Sequence, residues 1–351
     1  HINRDEYSQT ILKIAIIGLG IAGSYLLHTL SKEHEVQGFE MQKAGEFNAV
    51  CAWGAAKSEM ERIFARINID FNDYVFFNGS NINLELKGKI RKVGCKGLVT
   101  YDKHQLELDL TKGLNAKYGE RITPNTFPLD EYDLVIDATS LQRVMLPKIT
   151  DQLLVPCVEY MIEYEKLPYD DFYVKPFSTA SGYFWYFPLM KNTAYVGAGD
   201  YYRKHMEELD NFNKKHGGRI IKKIGRPIRL SAPEVCQPFT QGNVVGVGEA
   251  IGTVFPLIGE GIIPSLQCAE ILHRNINDIP GYVEEVKEHF KVYSDVYKVI
   301  KLKMNNKLNL YTFILNFGAI WTTYRTMKKQ EERFGLEVRI RDMAEILLTQ
   351  L

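Results

Sequence analysis

Three glycines near the start of the sequence have a spacing that suits pyrophosphate binding. Gly18, Gly20 and Gly23 fit the pattern GxGxxG, between an apolar segment (11–17) that predicts a buried strand and a segment (21–32) that predicts a helix. In this arrangement the first glycine makes a tight turn, the second lets a phosphate approach the backbone, and the third lets the helix pack on the strand. The free N–H groups at the helix start then face the phosphates.

An acidic residue follows at the end of a second predicted strand (35–40). Glu40 lies 22 residues after Gly18, where a carboxylate can accept hydrogen bonds from the hydroxyls of an adenosine ribose. Its charge would repel a 2′-phosphate, which disfavours NADP. The glycines and Glu40 together predict a dinucleotide site, and the alternative is a glycine-rich turn with a solvated Glu40.

A second glycine-rich segment (243–262) distinguishes between the dinucleotides. A predicted strand (243–248) is followed by Glu249, which can hold a ribityl hydroxyl, and a predicted helix (261–275) follows a Gly-Glu-Gly sequence. The start of this helix can face the pyrophosphate or the O2 edge of a flavin, where negative charge builds on reduction. An NAD dehydrogenase has no need of this second element, so the two segments predict FAD.

Three segments resemble flavoproteins of the para-hydroxybenzoate hydroxylase fold. Residues 248–262 (GEAIGTVFPLIGEGI) are similar to its Gly-Asp-Ala-Ala-Gly…Pro-x-x-Gly-x-Gly-Ile element, residues 133–140 (DLVIDATS) to its Asp-x-x-Val-x-Ala-x-Gly strand, and residues 100–110 (TYDKHQLELDL) to its Val-x-Arg-x-x-Phe-x-x-x-Leu helix start. Glu249 stands where Asp is usual, and Lys103 where Arg is usual. Both keep the charge, but a lysine cannot form a bidentate fork.

Two further segments resemble the geranylgeranyl reductase family. Residues 182–188 (GYFWYFP) are similar to its Tyr-x-Trp-x-Phe-Pro motif, and residues 50–60 (VCAWGAAKSEM) stand where it carries a Lys-Pro-Cys-Gly-Gly-Gly loop, with Cys51 matching the cysteine. In a strand, Tyr183 and Trp185 point to the same face. The resemblance implies Cys51, Tyr183 and Trp185 as catalytic residues. Together with the glycine loop, the two resemblances predict FAD contacts from Gly18, Gly20, Ala22, Gly23, Glu40, Cys51, Ala52, Lys103, Ala138, Thr139, Gly248, Glu249, Pro256, Gly259, Glu260, Gly261 and Ile262.

The resemblance implies saturation of isoprenoid double bonds by reduced flavin, and the chemistry suits these residue types. An isolated alkene is a poor hydride acceptor, but protonation of its less substituted carbon builds tertiary cation character beside flavin N5. The ring faces of Tyr183 and Trp185 could stabilise such a cation by about 1–2 kcal/mol each when desolvated. Cys51 or a flavin-bound water could supply the proton. The alternatives are core packing for the rings and an inert buried thiol for Cys51.

The pattern along the chain predicts an α/β fold with a Rossmann-type FAD-binding domain (three-layer ββα), an inserted antiparallel-sheet substrate domain and C-terminal helices. Alternation and turn residues predict a hairpin at 82–92 and an antiparallel sheet over 156–230. The other predicted elements are a loop at 41–58, a helix at 102–117, a strand at 132–138 and helices from 282 onward. The predicted domains are the FAD-binding domain (1–81, 96–140 and 231–280), the substrate domain (82–95 and 141–230) and the C-terminal helical region (281–351).

Composition excludes several other classes of protein. The 351 residues include 43 Lys+Arg and 43 Asp+Glu, so the formal net charge of zero gives no reason to expect a nucleic-acid partner. The five cysteines form no Cys-x-x-Cys pair and the histidines no HxH or HxxxH spacing, so neither disulfides nor a metal site is expected. This cysteine usage fits the cytoplasm, and the polar residues 1–10 predict no signal peptide.

A basic segment surrounds a mostly apolar stretch (310–321). Between Lys291 and Lys329 there are eight Lys/Arg and one acid, Asp295. Basic flanks around an apolar stretch suit a helix that lies on anionic lipid, here peripheral to the inner face of the cell membrane. The alternative is a core helix with a solvated basic face.

Three functions are compatible with these motifs. The first is a reductase of the prenyl chain of an isoprenoid lipid or quinone; the second is a flavin monooxygenase or halogenase of the same fold that acts on an aromatic compound; the third is a non-catalytic FAD- or lipid-binding protein. GYFWYFP has the spacing of the halogenase Trp-x-Trp-x-Ile-Pro run but not its residues. No second GxGxxG offers an NADPH site, so ferredoxin and an NAD(P)H-linked donor both stay open as the electron donor.

Overall fold

The computed structural model describes residues 10–46, 48–177 and 181–347. Most of the segment to which the signal-peptide expectation refers (1–9) lies outside them. The strands are β1 (Lys13–Ile17), β2 (Glu35–Glu40), β3 (Gly54–Ala56), β4 (Val75–Asn78), β5 (Asn81–Leu86), β6 (Lys89–Gly94), β7 (Leu98–Tyr101), β8 (Ala116–Tyr118), β9 (Leu134–Asp137), β10 (Leu154–Val155), β11 (Cys157–Glu163), β12 (Phe172–Pro176), β13 (Gly182–Pro188), β14 (Thr193–Asp200), β15 (Arg219–Gly225), β16 (Ile228–Arg229), β17 (Thr240–Gln241) and β18 (Val244–Gly246). The α-helices are α1 (Ile21–Leu30), α2 (Lys57–Ala65), α3 (Lys103–Thr111), α4 (His205–His216), α5 (Ile262–Arg274), α6 (Ile279–His289), α7 (Lys291–Met304), α8 (Leu310–Leu315), α9 (Phe317–Lys329), α10 (Glu331–Phe334) and α11 (Ile340–Leu347).

A largely parallel sheet carries the glycine loop. Its strand order is β17-β18-β9-β1-β2-β8, with every neighbouring pair parallel except the edge pair β17–β18. Numbered along the chain, the parallel strands have the order 3-2-1-4-5 of a doubly wound sheet. The central strand β1 is covered on both faces, which is why residues 14–17 are all apolar instead of alternating. The predicted Rossmann-type α/β fold is confirmed.

The helix that begins in the glycine loop is buried along almost its whole length. α1 packs against both α3 and α5. Its buried hydroxyls are satisfied locally, because Ser24 Oγ donates to the Gly20 carbonyl at 2.7 Å and Thr29 Oγ1 to the Tyr25 carbonyl at 3.0 Å. α1 is therefore packed between α3 and α5 with these two hydroxyl groups paired.

A second sheet contains the aromatic motif. Its strand order is β15-β11-β14-β13-β12-β5-β6, and its pairs are antiparallel apart from β12–β5. The predicted alternation along β13 is confirmed: Phe184 and Tyr186 pack with Phe212 of α4 on one face, whereas Tyr183 and Trp185 join the main core on the other. Tyr183 and Trp185 thus belong to the same core as the parallel sheet.

The C-terminal helices join these sheets to a small third sheet, β3-β7-β4. α7 packs on α9, and α10 packs on α2 and β3. The backbone of this region bonds directly to the small sheet, since the Gly335 carbonyl accepts from the N–H groups of Lys96 and Leu98.

In three regions the structure differs from the sequence-based predictions by more than a few residues at an element's end. The helix predicted at 102–117 ends at Thr111, because Gly113 adopts a positive φ of 75° and the chain turns into β8. The predicted loop 41–58 contains β3 and the first residues of α2. The predicted sheet region 156–230 contains α4, whose buried face of Leu209 and Phe212 is too narrow to stand out among polar residues.

Candidate active site

The three glycines of the GxGxxG loop have different surroundings. A Cβ atom added to Gly18, whose φ is 91°, would lie 2.5 Å from the Ala138 carbonyl oxygen, and one added to Gly23 would lie 1.9 Å from the Gly18 carbonyl oxygen. A Cβ atom added to Gly20 would have no neighbour within 4 Å among the described residues, apart from the two residues next to it in the chain. Two glycines therefore permit close packing, and Gly20 leaves the backbone open on one side. This is the form of a cradle for phosphate groups.

Glu40 is fixed at the mouth of this loop. Its Oε2 accepts a hydrogen bond from the backbone N–H of Leu19 at 2.8 Å, and its Oε1 accepts one from Gln42 at 2.9 Å. Each carboxylate oxygen retains a further lone pair that can accept from a hydroxyl. The residue expected to hold ribose is thus positioned by the glycine loop itself.

A cleft with about 1000 Å³ of empty space, part of it open to solvent, runs past the loop. Lys103 and Glu107 form an ion pair in its wall, and burial raises the pKa of the Glu107 carboxyl. The cleft brings together six of the sequence-predicted contacts: Gly18, Gly20, Glu40, Lys103, Ala138 and Thr139.

The second glycine segment lies beside the cleft. Gly248, at a φ of 71°, approaches Ala22 of α1, with 3.7 Å between its added Cβ and that of Ala22. Glu249 accepts from the Arg229 backbone N–H at 2.9 Å, from Arg226 Nη2 at 3.2 Å and from the Ser140 hydroxyl. Arg226 lines the cleft and its pairing with Glu249 was not predicted, because no motif in the sequence marks this arginine.

The segment before α5 forms a tight turn next to the aromatic motif. The Phe255 N–H donates to the Glu260 carbonyl at 2.8 Å, and the Tyr183 hydroxyl donates to the Ile258 carbonyl. Pro256 and Gly259 belong to this turn, and α5 begins at Ile262 after Gly261, where no side chain among the described residues caps the helix start. The N–H groups of this helix start are thus left for a ligand or water.

Glu260 departs from its expected role. Both of its carboxylate oxygens accept from Nη1 of Arg333, at 2.8 and 2.9 Å. Burial raises the pKa of the Glu260 carboxyl, and the neighbouring guanidinium opposes this shift. The Glu260 side chain is therefore directed to the C-terminal helices, and only its backbone is shared with the turn.

Cys51 and Trp185 meet at a residue that the sequence analysis missed. The buried carboxylate of Glu159 accepts from the Cys51 backbone N–H at 3.0 Å and from Trp185 Nε1 at 2.9 Å. The rings of Tyr183 and Trp185 lie 5.6 Å apart, and Ala52 is half-buried beside Cys51. Burial raises the pKa of the Cys51 thiol to about 11, so the thiol keeps its proton at neutral pH.

Two negative findings apply to the described part of the chain. Within residues 10–46, 48–177 and 181–347, no three metal-binding side chains (His, Cys, Asp or Glu) are grouped in a way that could hold an ion. Over the same residues, no helix combines the length and the apolar character needed to cross a membrane.

The sheet order, the two glycine segments and the inserted aromatic sheet define the fold of FAD-dependent oxidoreductases. Among solved structures, a geranylgeranyl bacteriochlorophyll reductase-like protein from Thermoplasma acidophilum superposes with a TM-score of 0.64 at 16% identity, over 92% of this chain and 98% of that one. A probable FAD-dependent monooxygenase from Pseudomonas aeruginosa gives 0.63 at 13% identity, over 88% and 100%. A flavin-dependent brominase gives 0.62 at 11% identity, over 92% and 94%. The resemblance predicted from the sequence is confirmed at the level of the fold.

Two curated proteins are similar in sequence. An uncharacterized protein of Methanocaldococcus jannaschii is 23% identical over 312 residues, which cover 76% of this chain and 83% of that protein. Digeranylgeranylglycerophospholipid reductase 2 of Methanothermobacter thermautotrophicus is 34% identical over 130 residues, which cover 34% of this chain and 32% of that protein. No family model matches the chain.

Proposed function

We propose that the protein binds FAD in the cleft and saturates carbon–carbon double bonds in the prenyl chain of an isoprenoid lipid or quinone. The observation that carries the proposal is the meeting of three elements: the Cys51 loop, the Tyr183–Trp185 face and the turn at Ile258. The similarity to a digeranylgeranylglycerophospholipid reductase over part of the chain supports this choice of substrate.

The residues of the cleft fit FAD. The open side of Gly20 and the start of α1 would hold the pyrophosphate, and Glu40 would accept from the adenosine ribose. Lys103, Ala138 and Thr139 would line the same cofactor, while Arg226 next to Glu249 adds a positive charge near the phosphates. When bound and reduced, FAD supplies a hydride.

The remaining chemistry would fall to the chain's own side chains. Tyr183 and Trp185 exclude water and present ring faces to a carbon that develops positive charge. Cys51 keeps its thiol proton at neutral pH and could donate it to the other alkene carbon. The site thus pairs a proton source with an apolar, electron-rich surface, as the reduction of an unactivated alkene requires.

The decisive experiment uses the purified protein with FAD and dithionite. A visible flavin spectrum, followed by a gain of one H₂ per double bond in a digeranylgeranyl lipid or a prenyl quinone by mass spectrometry, is the expected result. A protein that stays colourless with added FAD would exclude the cofactor, and a yellow protein that leaves every prenyl alkene intact would exclude the activity. The electron donor is found by replacing dithionite with reduced ferredoxin or NAD(P)H.

The similarity to a monooxygenase and a brominase makes oxygen chemistry the second candidate. It predicts oxygen consumption with NAD(P)H and an aromatic substrate, and a product that gains an oxygen or a halogen atom. The same protein sample can be tested for both reactions, and the mass of the product distinguishes them.

A lipid substrate also gives a role to the surface of α8 and α9. We propose that this surface rests on anionic lipid. Five of its apolar side chains are between 41 and 70% exposed, and the segment from Val296 to Gln330 contains no Asp or Glu. Apolar side chains surrounded by cations match an anionic bilayer surface. The apolar residues are Tyr311, Ile314, Leu315, Phe317 and Trp321, and the exposed cations are Lys307, Arg325, Lys328 and Lys329.

Vesicle co-sedimentation tests this surface. Binding to phosphatidylglycerol vesicles that weakens with salt and is reduced by F317S/W321S is expected, while phosphatidylcholine vesicles bind less. The control is I90S, since Ile90 is 53% exposed on β6, a strand of the second sheet. Equal binding by both variants, or self-association that F317S/W321S abolishes without vesicle binding, would contradict a lipid role.

A further inference from the structure

Glu159 is a buried carboxylate on the sheet face that carries the aromatic motif. Its exposed fraction is 1%, and each of its oxygens accepts one hydrogen bond: Oε1 from the Cys51 backbone at 3.0 Å and Oε2 from Trp185 Nε1 at 2.9 Å. A buried acid needs compensation for lost hydration, and these two donors provide it. Glu159 therefore links the Cys51 loop to the Trp185 motif, which the resemblance in sequence assigned to the site separately.

The register of the sheet explains how Trp185 reaches Glu159. Gly197 on β14 pairs with Glu159 on one side and with Trp185 on the other. A Cβ at Gly197 would lie 2.3 Å from the indole ring of Trp185. Because this strand carries no side chain here, the indole can lie flat across it and point its N–H at the carboxylate. The arrangement depends on three strands in one register.

The charge of Glu159 is set by its neighbours. On the adjacent elements these are Lys222 of β15, the Cys51 thiol, Tyr195 of β14 and Tyr183 of β13; Cys157 lies on β11 itself. Burial raises the pKa of the two thiols to about 11 and 12 and raises the pKa of the two phenols further, so these four groups stay neutral. Lys222 is the basic side chain among these neighbours, and burial lowers its pKa.

We propose that Glu159 is a positioning residue whose negative charge, acting through the Trp185 indole, makes the aromatic face bind a cationic carbon centre. The inference rests on the proposed function for the choice of a cationic centre. A hydrogen bond to a carboxylate orients the indole and makes its ring more electron-rich, and the charge itself attracts a cation in a water-poor site.

Glu159 acts at one stage of the proposed reduction. The alkene would take a proton at its less substituted carbon, from the Cys51 thiol in the proposed function. Reduced FAD, when bound, would supply a hydride with its electron pair to the other carbon. Two C–H bonds would form, while the π bond, the S–H bond of Cys51 and the bond between the hydride and its donor would break. The thiol would then regain its proton from solvent. Positive charge on the second carbon exists only between these transfers, and a nearby fixed negative charge lowers its energy.

The sign of the pH dependence separates this role from that of a proton donor. Burial raises the pKa of the Glu159 carboxyl to about 7. If ionised Glu159 attracts the cation, activity and cation binding should both rise as the pH rises through about 7. A Glu159 that donates the proton would give the opposite slope.

The test measures binding, which does not depend on turnover. The probe is a geranylgeranyl trimethylammonium ion, whose charge does not titrate, added to the full chain with its flavin and followed by equilibrium dialysis. The expected result is binding about tenfold tighter at about pH 8.5 than at about pH 5.5 in the wild type. We expect Glu159→Gln to abolish this pH dependence. A neutral analogue with carbon in place of nitrogen should bind equally at both values.

Glu163→Gln is the matched control, because Glu163 lies on the same strand but is 48% exposed and paired with Arg219. It should keep the wild-type pH dependence. If Glu159→Gln does not fold, the same binding measurement on the wild type and on Trp185→Phe tests the inference. Wild-type affinity that is equal at both pH values, or weaker at the higher one, overturns the inference even if prenyl lipid is reduced. A pH-dependent affinity without any prenyl reduction supports the inference and rejects the proposed activity.

Discussion

Arg333 and Glu260 join the C-terminal helices to the turn that precedes α5. Nη1 of Arg333 donates to both carboxylate oxygens of Glu260, at 2.8 and 2.9 Å, and the two side chains are 13 and 14% exposed. The adjacent Phe334 packs on Phe255, with ring centroids 4.9 Å apart. The C-terminal helices therefore support the turn on which Tyr183 rests.

The first prediction concerns this ion pair. Arg333→Met leaves a largely buried carboxylate without its partner, and we expect it to lower the free energy of unfolding by about 3 kcal/mol. Urea denaturation measures the loss. The double variant R333M/E260L should recover most of it, because an apolar pair replaces the ion pair without leaving a buried charge.

The control for this prediction is Arg339→Met, which removes an exposed ion pair with Glu337. It should cost less than about 1 kcal/mol. Equal losses in the free energy of unfolding for Arg333→Met and Arg339→Met would mean that the Arg333–Glu260 pair stabilises the fold no more than the Arg339–Glu337 pair does.

The second prediction separates the roles of two glycines in the loop. Gly20→Ala meets no neighbour among the described residues and has an ordinary φ of −70°, so the fold should lose no more than about 1 kcal/mol. The added methyl group would, however, stand where the pyrophosphate approaches. We expect normal thermal stability together with a lower ratio of flavin to protein in the absorption spectrum.

Gly23→Ala should behave in the opposite way. Its Cβ would lie 1.9 Å from the Gly18 carbonyl oxygen, so α1 must shift and the melting temperature should fall clearly. A Gly20→Ala protein that keeps its full flavin content would reject the assignment of the cradle.

The sequence was sufficient where the signal is local along the chain. The glycine loop, β1, β2 and the alternation of β13 depend on residues close together in sequence, and all of them were predicted. The partners of the Glu159 carboxylate lie 108 and 26 residues away along the chain, and Arg333, the partner of the Glu260 carboxylate, lies 73 residues away. Only the register of β11, β14 and β13, and the return of the C-terminal helices, bring these residues together. No periodicity in a single sequence encodes that register.

The third prediction is the effect of Glu159 on stability as a function of pH. The folded-state pKa is raised from 4.5 to about 7, so between these values the folded protein binds more protons than the unfolded chain. Stability contributed by protonated Glu159 is therefore present below pH 4.5 and is lost as the pH rises through 7. Glu159→Gln does not undergo this loss. Its free energy of unfolding relative to that of the wild type should therefore rise by about 3 kcal/mol between pH 4.5 and about 7.

Urea denaturation of both proteins at a series of pH values measures this difference. Glu163→Gln again serves as the control and should follow the wild type across the interval. Parallel curves for the wild type and Glu159→Gln would mean that Glu159 ionises in the folded protein as it does in the unfolded chain.

The last prediction concerns Cys51. With a pKa of about 11, this half-buried thiol is about one part in a thousand thiolate at pH 8, so its alkylation by iodoacetamide should be slow and should accelerate steeply with pH.

Cys51→Ser should keep its flavin but lower the rate of prenyl reduction, because a hydroxyl is a much weaker acid than a thiol. Cys95→Ser is the matched control, since Cys95 is also half-buried but packs with Phe172 in a different hydrophobic cluster. If Cys51→Ser turns over as fast as Cys95→Ser, the proton comes from another source, and Cys51 contributes only the backbone N–H that binds Glu159.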